Sequence, residues 1–249
     1  MDEEGFEHAV ISNAAYNFYE KGEDHAQDKI DDYLEGYTID PEHSDDHAVT
    51  VLRPDGSAII GYRGTDPWNI YDIGADTLIL SGYHREKMNT LPFTRFQRAS
   101  DHYTQVSNKY DVSSVTGHSL GGSISDFVGR KHDVNAYAFN PGESPFEYAR
   151  FGLVEPSKTK VYTTGDDPIS ASSFAYRNHQ KVVQVPKKVE GGYYYLDSHS
   201  LMNFLPGSIV TGTQGSETTK KESSEVASLI ETRENRLCRL YPELCPKGD

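Results

Sequence analysis

Apolar residues Phe6, Val10, Ile11, Ala14, Ala15, Tyr16 and Phe18 recur at helical spacing and predict a helix over residues 6–20. Residues 21–46 lose that rhythm, are crowded with Asp, Glu and His, and read as a mainly solvated loop. Two apolar runs follow, Ala48–Leu52 and Ala58–Tyr62, on either side of Arg53-Pro54-Asp55-Gly56-Ser57. Pro54 presets a turn, Asp55 can bond the local backbone and Gly56 permits positive φ, so the segment predicts a β-hairpin. Phe93, Phe96, Ala99, Tyr103 and Val106 mark an amphipathic helix over 92–109. Beyond it come a short β-branched strand at 112–116, a helix at 123–129, and strands at 134–139, 160–164 and 182–185. Strands alternating with helices predict an α/β fold with a mostly parallel central sheet covered on both faces. The pattern fades at 207–223, where Gly, Ser, Thr, Lys and Glu read as a linker. Val226, Leu229, Ile230, Leu237 and Leu240 then share one face of a terminal helix that Pro242 stops. The expected organisation is a domain at 1–206, a linker at 207–223 and a helical appendage at 224–249, without an internal repeat.

Length and charge narrow the function classes. The 249 residues suit one sizeable domain, large enough to bury a core without disulfide support. The only two cysteines, Cys238 and Cys245, cannot staple such a domain or build a Cys-rich zinc module; a chain reversal near Pro242 can bring them into bonding range. A net charge of −14 repels phosphate backbones, so no nucleic-acid partner is expected, and charge alone does not favour anionic lipid. The longest apolar runs, such as Ala58-Ile59-Ile60 and Leu78-Ile79-Leu80, fall far short of the roughly 20 residues a membrane span needs. Met1-Asp2-Glu3-Glu4 has no basic start of a secretory signal. The expectation is a soluble protein, cytoplasmic by default, with a virion or a non-classical export route left open.

Candidate chemistry centres on Gly117-His118-Ser119-Leu120-Gly121, which fits Gly-x-Ser-x-Gly between a predicted strand and a predicted helix. In that setting a serine is forced into strained φ/ψ with its hydroxyl clear of the sheet. Small residues two before and two after let the two backbones approach, and the helix N-terminus faces developing negative charge. A serine hydroxyl needs a base. His118 lies inside the turn, and its side chain should diverge from that of Ser119. His8, His25, His43 and His47 sit in an acidic, solvated-looking stretch where metal binding is a minor alternative. The late histidines His179 and His199 remain, and His199, in a loop beside a short helix, is favoured. The orienting acid is sought just past the strand at 160–164, where Asp167 is preferred to Asp166. The Leu120 N–H supplies one oxyanion donor, and Thr65, in Tyr62-Arg63-Gly64-Thr65, offers a second.

Taken together, Tyr62-Arg63-Gly64-Thr65, Thr116-Gly117-His118-Ser119-Leu120-Gly121-Gly122, Asp166-Asp167-Pro168-Ile169 and His199 resemble the class 3, fungal-lipase-like branch of the α/β-hydrolases, over residues 47–205. The resemblance implies an α/β-hydrolase fold, a Ser119–Asp167–His199 triad, and an oxyanion hole from Thr65 and Leu120. It also implies hydrolysis of acyl esters of lipids, without metal or cofactor. A lid helix would occupy the region of 66–80, where Trp68, Ile70, Tyr71 and Ile73 suit either a flap or a buried element. The expected partners are a lipid or ester substrate, a transient lipid interface, and a protein docked on the C-terminal helix. The same triad serves peptidases and thioesterases, and a lipase-like scaffold without turnover is the reading from a different class.

Overall fold

The computed structural model describes residues 1–64, 92–142, 158–165, 167, 170, 181–189 and 194–206, all within the unit Met1–Val210. Thr65, Asp166, His179, the candidate lid at 66–80, the linker, the appendage and both cysteines lie outside the described residues.

Helix α1 (Glu3–Lys21) starts on Asp2, whose carboxylate accepts the Gly5 N–H; Glu3 and Glu4 lie in its first turn and Lys21 in its last, matching the helix dipole. Gly22, at φ 85°, ends it and begins α2 (Glu23–Asp31). The region 21–46 is therefore not the loop its composition suggested. It holds α2, the two-residue strand β1 (Thr38–Ile39) and a 3-10 turn at Pro41–His43. The reason is physical: α2 buries only Ala26 and Ile30, one i,i+4 stripe too short to register as periodicity. Strand β1 is held by backbone pairing to its neighbour.

The predicted hairpin forms as β2 (Ala48–Leu52) and β3 (Ala58–Tyr62). Helix α3 (Pro92–Ser107) leads to β4 (Val112–His118), α4 (Leu120–His132), β5 (Asn135–Phe139), β6 (Thr159–Thr164) and β7 (Lys181–Val185). The seven strands lie in sequence order in one sheet, antiparallel from β1 to β3 and parallel from β3 to β7. This is an α/β fold with a mostly parallel mixed sheet and helices on both faces.

Alternation along the hairpin separates two cores. Val49, Val51 and Ile59 pack with α1 and α2, while Ala48, Ala58, Ile60 and Tyr62 pack with Phe96, Leu120, Ile124 and Phe127 of α3 and α4. The described residues end with α5 (Tyr194–His199) and a 3-10 turn at Leu201–Phe204. Among the described residues, no helix is long and apolar enough to cross a membrane.

Candidate active site

Ser119 stands between β4 and α4 with φ 57° and ψ −124°, a region that L residues rarely occupy and that costs about 1–3 kcal/mol. The neighbouring glycines explain how the turn closes. A Cβ on Gly121 would lie 2.1 Å from the Tyr62 carbonyl oxygen, and one on Gly117 would lie 2.3 Å from Gly121 backbone atoms. The Ser119 N–H donates to the Phe139 carbonyl at 2.9 Å, and its own carbonyl accepts from Gly122 and Ser123 at 3.0 and 3.2 Å. Leu120 opens α4, so its N–H has no intrahelical acceptor. Gly64 closes in from β3: a Cβ there would sit 2.6 Å from the His118 carbonyl oxygen and 3.4 Å from Ser119 Cβ.

The structure brings Asp167 and His199 together. His199 Nδ1 donates to Asp167 Oδ2 at 3.0 Å, with both residues buried. The same carboxylate oxygen accepts the Ser170 N–H at 3.2 Å and the Ser170 hydroxyl at 2.5 Å. With Nδ1 protonated in the neutral imidazole, Nε2 carries the lone pair. Nε2 is buried and has no hydrogen-bond partner among the described residues, the Ser119 hydroxyl included. Unsatisfied buried polar atoms are rare enough to require an explanation.

His199 is the last residue of α5 rather than part of a loop, and the segment around it is fixed through its backbone. The Asn203 amide donates to the carbonyls of Asp197, Ser198 and Ser200, at 2.6, 3.3 and 3.0 Å. Its side-chain oxygen accepts the N–H groups of Lys188 and Val189 at 2.7 and 2.9 Å. Asn140, at φ 41°, and Thr164 donate to the Ser198 carbonyl at 2.9 and 2.5 Å. The His199 carbonyl accepts from His118 Nε2 at 2.7 Å. His118 is thus directed away from Ser119 to the backbone of the residue favoured as base. Asn140, Thr164 and Asn203 escaped the sequence reading, since no local motif announces a side chain that satisfies a distant carbonyl. An Asn after a strand and before Pro141, at a position suited to positive φ, was the one available signal.

The N-terminal histidines are not uniformly solvated. His8 is buried against β4, where Nδ1 donates to the Glu4 carbonyl at 2.6 Å and Nε2 accepts from Ser114 Oγ at 2.7 Å. It stacks on Tyr137 with ring centroids 3.6 Å apart. His43 does lie in a potential ligand cluster with Asp40 and Glu42, whose ligand atoms fall within 4.8 Å of one another. There the Lys109 ammonium sits 2.6 Å from Glu42 and 3.4 Å from Asp40, supplying positive charge from the protein itself.

Burial pushes the His8 imidazole down to about 4. Burial and the neighbouring His199 push His118 down to about 3. Both values lie below the ordinary 6.5, so as pH falls the unfolded chain takes up these protons first. The stability contributed by the two neutral imidazoles is complete above about pH 6.5 and is lost as pH falls towards 4 and then 3. Each histidine adds a slope of up to ~1.4 kcal/mol per pH unit. Asp2, held well below the usual carboxylate range by Lys160 and Tyr162, adds to the loss at still lower pH. Urea midpoints are expected to fall between pH 7 and pH 5; an unchanged midpoint contradicts the burial of neutral His8 and His118.

No protein-family model matches the chain, and no curated protein matches it.

Proposed function

We propose that the protein is a serine hydrolase of the α/β-hydrolase kind, similar to class 3 lipases, that cleaves carboxylic esters of lipids. The observation that carries the reading is the state of His199: Nδ1 on a buried carboxylate, Nε2 buried and unpartnered, and the backbone bonded to the residue beside Ser119. His8 has both ring nitrogens satisfied. His47 and His102, like His199, each keep one buried nitrogen unpartnered, and of these three His199 is the one hydrogen-bonded to a buried carboxylate through its other nitrogen. A general base keeps one lone pair for a reacting proton.

In the reaction, His199 Nε2 takes the Ser119 hydroxyl proton as Oγ attacks the ester carbonyl carbon. The carbonyl π-electrons move to oxygen, and the Leu120 N–H, with a second donor assigned to Thr65, stabilises the oxyanion. Asp167 holds the imidazole tautomer and balances the imidazolium charge. Collapse breaks the bond to the leaving alkoxide, which receives the proton from His199. Water then attacks the acyl-enzyme by the same steps and restores Ser119.

The test is turnover on a chain-length series of nitrophenyl esters together with a phospholipid dispersion. Saturable hydrolysis of at least one acyl ester is expected, and the chain-length optimum then reports the acyl pocket. No turnover on any member would overturn the reading.

A further inference from the structure

Helix α1 and strand β4 are joined by a buried polar ladder. His8 meets Ser114 at 2.7 Å, Ser12 Oγ meets Thr116 Oγ1 at 2.9 Å, and the Tyr16 hydroxyl meets His118 Nδ1 at 3.0 Å. The helix positions are four residues apart and the strand positions two apart. Four helical residues rise ~6 Å and two strand residues ~6.6 Å, so a helix running alongside the strand keeps the rungs in step. All six residues are buried. A one-residue slip of either element would leave several buried polar groups unpaired, each bearing its full desolvation cost. The ladder therefore locks the register of α1 on the strand that delivers Ser119.

The last rung reaches the site. A carbonyl can only accept, so the 2.7 Å contact of His118 Nε2 with the His199 carbonyl requires a proton on Nε2. In the neutral ring Nδ1 is then a lone pair, and it is met by the Tyr16 hydroxyl as donor. The His118 and His199 rings lie 4.8 Å apart by centroid. The His199 carbonyl thus selects the tautomer of His118, and Tyr16 completes it by donating to the Nδ1 lone pair, while Asp167 selects the tautomer of His199 itself.

We propose that Tyr16 and His118 are positioning residues that hold His199 on its reacting side, so that α1 is part of the catalytic machinery as well as of the core. The inference rests on the serine-hydrolase reading above. It takes from the structure a hydrogen-bond path running from Tyr16 through His118 to the backbone of His199, whose side chain goes on to Asp167.

A merely structural pair and a positioning pair respond differently to removal of both partners. Exchanging two hydrogen-bonded groups for apolar ones of similar shape is close to neutral for stability. The double variant Tyr16→Phe/His118→Leu removes that pair but leaves the His199 carbonyl without its donor, so it is expected to keep its fold with a lowered melting temperature. It should still lose kcat on a nitrophenyl ester by about 100-fold with KM within about twofold, the scale of a misplaced catalytic group. His118→Gln retains an amide donor for the His199 carbonyl and should recover at least tenfold of that loss. A folded double variant with wild-type kcat, or a Gln variant no better than the double variant, overturns the inference. If the double variant does not fold, Tyr16→Phe alone decides. A kcat loss of about tenfold at unchanged KM supports the inference, and wild-type kcat overturns it. A wild-type protein that turns over no ester overturns this inference together with the reading beneath it, whereas an active wild type beside an equally active double variant overturns this inference alone.

Discussion

Alanine at Ser119 or at His199 is expected to lower ester turnover by about 10⁴- to 10⁶-fold, and the double variant should be little worse than either single one. In the proposed reaction the nucleophile and its base act as one unit, so removing the second partner takes away nothing the first has left. The expectation is specific because neither side chain carries much of the fold. Ser119 needs its backbone geometry far more than its hydroxyl, and alanine can take the same φ of 57° at similar cost. His199 is held by its own carbonyl and by Asn203, and alanine keeps those backbone contacts. Ser119→Ala should melt near the wild-type temperature, and His199→Ala somewhat below it but still folded in the assay, because Asp167 stays buried without its imidazole. A His199→Ala protein with turnover within tenfold of wild type would show that another group serves as base, and His179 would then be tested next.

Asp167→Asn carries the second large effect, a fall in kcat of about 10³- to 10⁴-fold. One carboxylate oxygen receives His199 Nδ1 and both donors of Ser170. An amide at this position loses the negative charge that balances the imidazolium. If its NH2 faces Nδ1, it also forces the proton onto Nε2 and switches the base off. Ser170→Ala leaves the carboxylate in place and should be much milder. The comparison is made by steady-state kinetics on one ester at the pH optimum. Asp167→Asn turnover within tenfold of wild type would transfer the acid role, with Asp166 as the candidate.

The parts of the fold that were readable are those where local sterics and burial leave few choices. Strands β4 to β6 are buried on both faces and show as short apolar or β-branched runs. Gly117 and Gly121 stand out because backbone atoms occupy the space a side chain would fill, so the turn around Ser119 is written directly in the residue types. The hairpin was legible for the same reason, through Pro54, Asp55 and Gly56. What stayed hidden depends on partners distant in sequence. Helix α2 is supported by two buried side chains, too few to mark a period, and β1 by backbone pairing and a single buried side chain, Ile39. His8, Ser12 and Tyr16 are unremarkable polar interruptions of an apolar helix until Ser114, Thr116 and His118 are set opposite them, some hundred residues away. His8 illustrates the difference: an acidic neighbourhood suggested solvent, while the strand beneath it supplied a hydroxyl and buried it. Asn140 and Asn203 belong to the same class, since their role is to satisfy carbonyls on another segment.

Ser119 is the nucleophile of the proposed reaction, and a fluorophosphonate probe reads that property without requiring the right ester. The wild-type protein, incubated with the probe and digested, is predicted to carry a single covalent adduct on the peptide containing Ser119, absent from Ser119→Ala and slowed severely in His199→Ala. A folded wild-type protein that forms no adduct, or forms it on a residue other than Ser119, would contradict the account.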